Sequence, residues 1–232
     1  MKKIVKEIVC IFLCLCMICT AIELPEKVSG ETVTDSVLYR YMDEKNEKYG
    51  FVSRTGKIVV KAVYDEVGKF SDGLAVVRKG SKSGYIDTTG KIVIPLQYES
   101  ASDFSDGLAV VGVKNKSYFI TTNGEPAFDS TYTMAYKFSD GLAPVKIKDK
   151  FGYINTNGEL VIPAKYNWAY PFSEQRAFVI KGDYKLVIDT EGKTITKYVD
   201  DTERSDFSDG YAIIQKKGKY GYIDKDGKIV IK

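Results

Sequence analysis

"FSDGLAVV" occupies residues 70–77 and is written again, letter for letter, at 104–111. It returns as "FSDGLAPV" at 138–145, "FSEQRAFV" at 172–179 and "FSDGYAII" at 207–214. The phenylalanines at 70, 104, 138 and 172 are 34 residues apart, and Phe207 follows after 35. Gly56, Gly90, Gly124, Gly158, Gly192 and Gly227 keep the same beat. A period of this kind marks stacked supersecondary units, none of which buries its apolar face alone.

One unit shows what is being repeated. In "GLAVVRKGSKSGYIDTTGKIVIPLQYESASDF" (73–104), Leu74 to Arg78 is a short β-branched run and "KGSK" a turn-rich break. "GYID" is a second strand, and "KIVIP" a third that stops at Pro95. Between them Asp87 is placed to accept backbone N–H groups across the turn, and Gly90 supplies positive φ. Asn155, Asp189 and Asp224 stand at the same spot. The pair Asp224 and Asp226 admits a calcium-loop reading, but "TTNG" and "RTG" fill the same turn without those acids. From each tyrosine (64, 98, 132, 166) a segment runs six residues to the next phenylalanine, and both rings are expected in the core. The phenylalanine then plugs the joint between units, while Gly73, Gly107, Gly141 and Gly210 let the chain reverse.

Six first strands, six glycine hairpins and six third strands follow, the earliest near Val37–Tyr41 and the latest ending at Ile231. The expected class is all-β: six antiparallel meander repeats of ~34 residues, with units near 37–70, 71–104, 105–138, 139–172, 173–207 and 208–232. The pattern starts and stops without polar caps. A small propeller-like ring closed by pairing its ends needs none, so it is preferred over an open β-superhelix, which remains the alternative.

Composition narrows the function. The net charge of +3 is too balanced to indicate nucleic acid. Residues 1–30 carry a basic start (Lys2, Lys3, Lys6) and an apolar run from Ile8 to Ile22, which reads as a secretory signal peptide cut after Gly30. An uncleaved N-terminal anchor is the alternative, and the only membrane contact expected. A short linker, 31–36, then leads into the repeat domain, 37–232. All four cysteines (Cys10, Cys14, Cys16, Cys19) fall in the apolar run, and the chain has no histidine. The repeat domain is therefore expected to hold no disulfide, no thiol or imidazole catalyst, and no zinc.

"GKYGYIDKDGKIVI" (218–231) and "GYIDTTGKIVIPLQYESASDFSDGLAVV" (84–111) resemble the WG-repeat family, also called KWG repeats. The resemblance covers about 37–232. It implies a bacterial, often extracellular, β-rich repeat protein tied to no single enzymatic activity. The Trp-Gly pair itself is absent; its places hold Tyr49-Gly50, Ser83-Gly84, Phe151-Gly152 and Tyr220-Gly221, and the glycine gives way to Tyr118 and Leu186. No ligand role of the family's tryptophan carries over.

Positions that differ between units are free to face a partner. One such position reads Glu66, Ser100, Met134, Trp168, and its neighbour reads Gly68, Ser102, Tyr136, Tyr170. Met134, Tyr136, Trp168 and Tyr170 are thus candidates for an aromatic patch that stacks on sugar rings or grips a peptide. The competing reading is filler between poorly matched units. A second candidate is a basic face of hairpin tips, Arg78, Lys79, Lys82, Lys114, Lys116, Lys146, Lys148, Lys150, Lys216, Lys217 and Lys219, set against acidic turns at Asp72, Asp106, Asp140, Glu174 and Asp209. Such a face fits an anionic cell-wall polymer; ordinary solubility, since exposed turns are usually charged, is the competing and simpler reading. Asp200, Asp201 and Glu203 are the only carboxylates outside the repeating scheme, and a carboxylate-dependent glycoside hydrolase is the alternative function. The preferred expectation is an exported, non-catalytic recognition or adhesion module without cofactor or metal, acting at the cell surface or beyond on a protein, peptide or glycan.

Overall fold

The computed structural model describes residues 37–198, 205–216 and 218–231. The expected leader and linker, Asp200, Asp201, Glu203, Lys217 and the side chain of Lys216 lie outside them. Among the described residues there is no helix, and the strands form six antiparallel sheets. The first comprises β1 (Leu38–Asp43), β2 (Lys48–Ser53) and β3 (Ile58–Tyr64). The second comprises β4 (Glu66–Val67), β5 (Leu74–Lys79), β6 (Lys82–Asp87) and β7 (Ile92–Tyr98). The third is β8 (Ser100–Ala101), β9 (Leu108–Val113) and β10 (Lys116–Thr121). The fourth is β11 (Met134–Ala135), β12 (Leu142–Ile147), β13 (Lys150–Asn155) and β14 (Leu160–Tyr166). The fifth is β15 (Trp168–Ala169), β16 (Ala177–Lys181), β17 (Tyr184–Ile188) and β18 (Thr194–Tyr198), and the sixth β19 (Tyr211–Lys216), β20 (Lys219–Asp224) and β21 (Ile229–Ile231).

Three details differ from the sequence reading, the first being that β7 does not stop at Pro95 but runs on to Tyr98. The Tyr-to-Phe segments are not plain loops: in four of them a two-residue strand (β4, β8, β11, β15) pairs with the first long strand of the next unit. Each such sheet therefore borrows its edge from the unit before it. The third sheet also lacks the expected third long strand. "EPAFDSTY" (125–132) makes only isolated bridges, Ile120 with Pro126 and Ser117 with Tyr132. Proline has no N–H to give to a ladder, and the β-branched run of "KIVIP" is missing there.

Each joint is a two-residue turn. Ser71 and Leu74 exchange both backbone hydrogen bonds (2.9 and 3.0 Å), with Asp72 and Gly73 at φ +51° and +81°. Two consecutive positive φ values describe a type I′ turn, for which Asp-Gly is a favoured pair. The aspartate has a second task. Asp72 Oδ2 accepts the N–H of Gly107 at 3.0 Å, and Asp106 Oδ2 that of Gly141 at 3.1 Å. Asp140 and Glu174 do the same for Gln175 (2.6 Å) and Gly210 (2.9 Å). A ladder of carboxylates thus ties each joint to the next, and the acidic turns are structural rungs.

The apolar cores lie between consecutive sheets. Leu74, Tyr85, Ile94, Tyr98 and Phe104 of the second repeat meet Ala109, Val111 and Ile120 of the third. The other four neighbouring pairs repeat this scheme. The recurrent phenylalanine sits where expected: Phe104, Phe138, Phe172 and Phe207 are buried. Phe70, Phe104, Phe138 and Phe172 each lean on the ring before them, Phe51, Tyr85, Phe119 and Tyr153, at 4.7–4.9 Å between centroids. In the fifth sheet that partner ring is gone, since Val187 takes its place, and Phe207 stacks instead on Phe178 at 5.7 Å. Phe178 stands where other sheets have Val76, Val110 or Pro144, so the ring has moved to the neighbouring strand and the packed volume is kept.

The glycine of the Ser83-Gly84 type has a steric cause. Between Ser83↔Tyr98 and Tyr85↔Ile94 the third strand carries two extra residues, and they bulge over Gly84. A Cβ on Gly84 would lie 2.6 Å from the carbonyl oxygens of Ile94 and Pro95. Gly50 and Gly152 are crowded in the same way. The fifth sheet runs in register from Lys185↔Tyr198 to Val187↔Thr196 without that bulge, which leaves room for Leu186. What reads as one inserted residue in the fifth unit is therefore two changes, two residues lost from the bulge and three gained between Tyr198 and Phe207. The pairing of first and last sheets that would close a ring is not found among the described residues.

Candidate functional site

The short edge strands place the variable positions. Met134 pairs with Lys146 and Trp168 with Ile180, so Met134, Tyr136, Trp168 and Tyr170 project from neighbouring edges of the fourth and fifth sheets. The four do come together. Trp168 lies 6.1 Å from Tyr136, 6.2 Å from Tyr170 and 5.2 Å from the buried Phe151, ring centre to ring centre. The Tyr136 hydroxyl reaches Met134 Sδ at 3.5 Å. All four are half-buried. Met134, Tyr136 and Trp168 pack on the core between the fourth and fifth sheets, and Tyr170 on the next core. Burial, with Tyr170 beside it, raises the Tyr136 phenol above its ordinary pKa. The cluster thus presents neutral ring edges and faces, suited to stacking and to hydrogen bonds from phenols.

At the equivalent place in the second and third sheets stand Glu66, Gly68, Ser100 and Ser102, and Ser83 replaces Phe151. With the rings gone, a cleft of about 270 Å³ opens, lined by Glu66, Val67, Gly68, Val76, Arg78, Ser83, Ala101 and Asp103. Arg78 and Glu66 form a two-pronged ion pair on its rim, with Nε–Oε2 at 3.0 Å. Asp103 Oδ1 accepts the Lys69 N–H at 3.2 Å, and a Cβ on Gly68 would collide with that oxygen. Sequence reading missed this cleft. Its signal was Ser83, a small side chain shared with Ser117, where the first, fourth and sixth units have Tyr49, Phe151 and Tyr220.

The described basic positions lie in or beside the hairpins that join the first and second long strands. Lys79, Lys114, Lys116, Lys148 and Lys150 are exposed; Arg78, Lys82 and Lys146 are half-buried. Arg78 is committed to Glu66, and Lys146 lies 5.9 Å over the Phe151 ring. This end of the sheets is not purely basic. Asp65 pairs with Lys48 and also accepts the Gly80 N–H, and these contacts hold its carboxyl below the usual range. Glu99 caps Lys114 N–H at 3.1 Å, and Asn167 does the same for Gly182 at 2.9 Å. Gln175 and Arg176, which replace the usual Gly-Leu, also have structural work. Gln175 keeps the turn at φ +65°, while Arg176 Nε donates to the Lys225 carbonyl at 2.7 Å and links the fifth sheet to the sixth.

At the second turns Asp87, Asn155, Asp189 and Asp224 each accept two backbone N–H groups through one side-chain oxygen, Asp224 from Asp226 and Lys228 at 3.1 and 2.8 Å. Among the described residues no group of three or more His, Cys, Asp or Glu is placed to hold a metal ion.

The family described as "WG containing repeat" matches residues 49–82, 84–116, 119–151, 151–184, 187–220 and 220–232. None of the curated protein sequences matches the chain. Among solved structures it is similar to the β-propeller Hsv2 of Kluyveromyces lactis, at 12% identity and a TM-score of 0.53, covering 82% of this chain and 78% of that one. BamB of Moraxella catarrhalis, also a β-propeller, matches at 10% identity and a TM-score of 0.51, over 84% and 72%. A eukaryotic initiation factor matches at 11% and 0.58, over 83% and 61%. At such identities the likeness shows the fold, an all-β propeller-like stack of six sheets.

Proposed function

We propose, from the premise that this chain belongs to the WG-containing-repeat family, that it is an exported, non-catalytic recognition module acting at the cell surface or outside the cell. Its ligand is a glycan, peptide or protein segment, bound without cofactor. The observation that carries this reading is the gathering of Met134, Tyr136, Trp168 and Tyr170 on two consecutive sheet edges, half-buried and mutually in contact. Packing from below holds the rings, so little side-chain freedom is lost when a flat ligand lies on them. Pyranose faces and proline or aromatic side chains have the matching shape. The lysine tips add a salt-screened attraction for anionic wall polymer, secondary to the rings.

The test is a glycan and peptide array probed with the full chain and with Trp168→Ala. A ligand whose binding falls at least tenfold in the variant, a loss of about 1.4 kcal/mol or more, supports the patch, provided melting changes little. Equal binding by both proteins sinks it. Trp168→Phe keeps most of the packing and tells lost stacking from lost fold.

A further inference from the structure

Five cores join six sheets, and a sixth set of core-type residues lies open. On the sixth sheet Tyr211, Tyr222 and Ile231 are 47%, 40% and 58% exposed, whereas the residues in the same places of the second sheet, Leu74, Tyr85 and Ile94, are 6%, 0% and 1%. They border a cleft of about 610 Å³ that also holds Asp206 and Asp209. We propose that this face is an interface for the first sheet of a second copy of the chain, joined head to tail.

Two observations name that occupant. In every internal core the incoming sheet presents an alanine and a Val or Ile, such as Ala109 and Val111, against a face whose remaining space is filled by rings like Tyr98 and Phe104. No such pair covers the sixth sheet among its described residues. The first sheet differs in the compensating sense. Tyr39 and Tyr41 stand where the later sheets have Ala and Val or Ile, and Tyr39 is 51% exposed while Ala75 is fully covered. Two large rings on the incoming sheet fill more space on the open face than Ala and Val would.

The ladder of joints continues in the same direction. Asp209 occupies the acceptor place of Asp72, yet no N–H of a following joint reaches it among the described residues. The donor place of Gly107 falls, in a first sheet, on Val37, which is 59% exposed. The two surfaces are different, so the contact is heterologous and propagates until a ring of copies closes or a filament grows.

Sedimentation of the full chain over a wide concentration range tests this, alongside Tyr39→Asp and Tyr222→Asp. Both substitutions fall on exposed faces, and unchanged melting confirms that they fold. The wild type is expected to associate with rising concentration, and each variant alone to need at least about tenfold more protein. Mixed one to one, the variants are expected to form a dimer and stop, because one intact head meets one intact tail. A wild type that stays monomeric throughout overturns the proposal, since the first sheet then covers the sixth within one chain or not at all. Association that survives in both variants, or a mixture that remains monomeric, overturns it equally.

Discussion

The edge between the second and third sheets and the edge between the fourth and fifth are built on one backbone scheme and filled oppositely. In one, Ser83, Gly68 and Ser102 leave a polar cleft rimmed by Arg78 and Glu66. In the other, Phe151 is capped by Tyr136 and Trp168 at 6.3 and 5.2 Å, and the space is closed by rings. The bulge over Gly84 recurs over Gly152, and the joint turns beneath are alike. A repeat scaffold therefore lets residues on the short edge strands diverge without cost to the sheets. The ladder and the interleaved cores run beneath both edges, so the edge positions are free to vary.

The largest expected effect tests this directly. Phe151→Ala removes the buried ring under Trp168 and should cost about 3–5 kcal/mol in chemical denaturation. At the same place in the other region Ser83→Phe should be tolerated or raise stability by about 1 kcal/mol, because a cleft is ready to receive the ring. If the serine variant loses as much as the phenylalanine variant, the two edges are not equivalent and the comparison breaks.

Next in size is the shared bulge. Gly84→Ala and Gly152→Ala each set a Cβ against rigid backbone oxygens and should each cost about 1–3 kcal/mol. Similar midpoint shifts in urea would sharpen the claim that both regions share one frame. The rungs come third. Asp106→Ala should cost about 1 kcal/mol by leaving the Gly141 N–H without its carboxylate. Asp209→Ala, at the open end of the ladder, should cost nearly nothing in dilute protein, measured by thermal melting of the two side by side. Smallest is a repair. Gln175→Gly restores the residue that other joints use at positive φ and should raise stability by about 0.5–1 kcal/mol, with its N–H still bonded to Asp140.

Much of this was legible before any coordinates. The spacing of Phe70, Phe104, Phe138 and Phe172 announced the number of sheets and, for the last three, the burial of the ring. Asp87 with Gly90 announced the second hairpin. The aromatic quartet was legible too, because the repeats act as an internal alignment and its positions stand out by size. The cleft was not read, although Ser83 was in plain view, since a small residue shows its effect only when the surrounding rings are known to be missing as well. The third sheet's lost strand was not read: six third strands were expected, although "EPAFDSTY" lacks the β-branched run of its siblings. The short edge strands were not signalled, because two residues are too few to show a period.

By itself the sequence determined whatever depends on a few consecutive residues: the type I′ joints, the hairpin turns, the alternation along each strand and the count of units. Those are matters of φ, ψ and hydrogen bonds closed within about five positions, and each residue's own chemistry decides them. Only the tertiary structure decided what the acidic joints bind, why a glycine follows Ser83 or Phe151, and which faces remain open at the first and sixth sheets. These depend on groups some 34 residues apart meeting across a packed interface. There the outcome rests on volume and on which donor has no other acceptor, and neither is written at a single position.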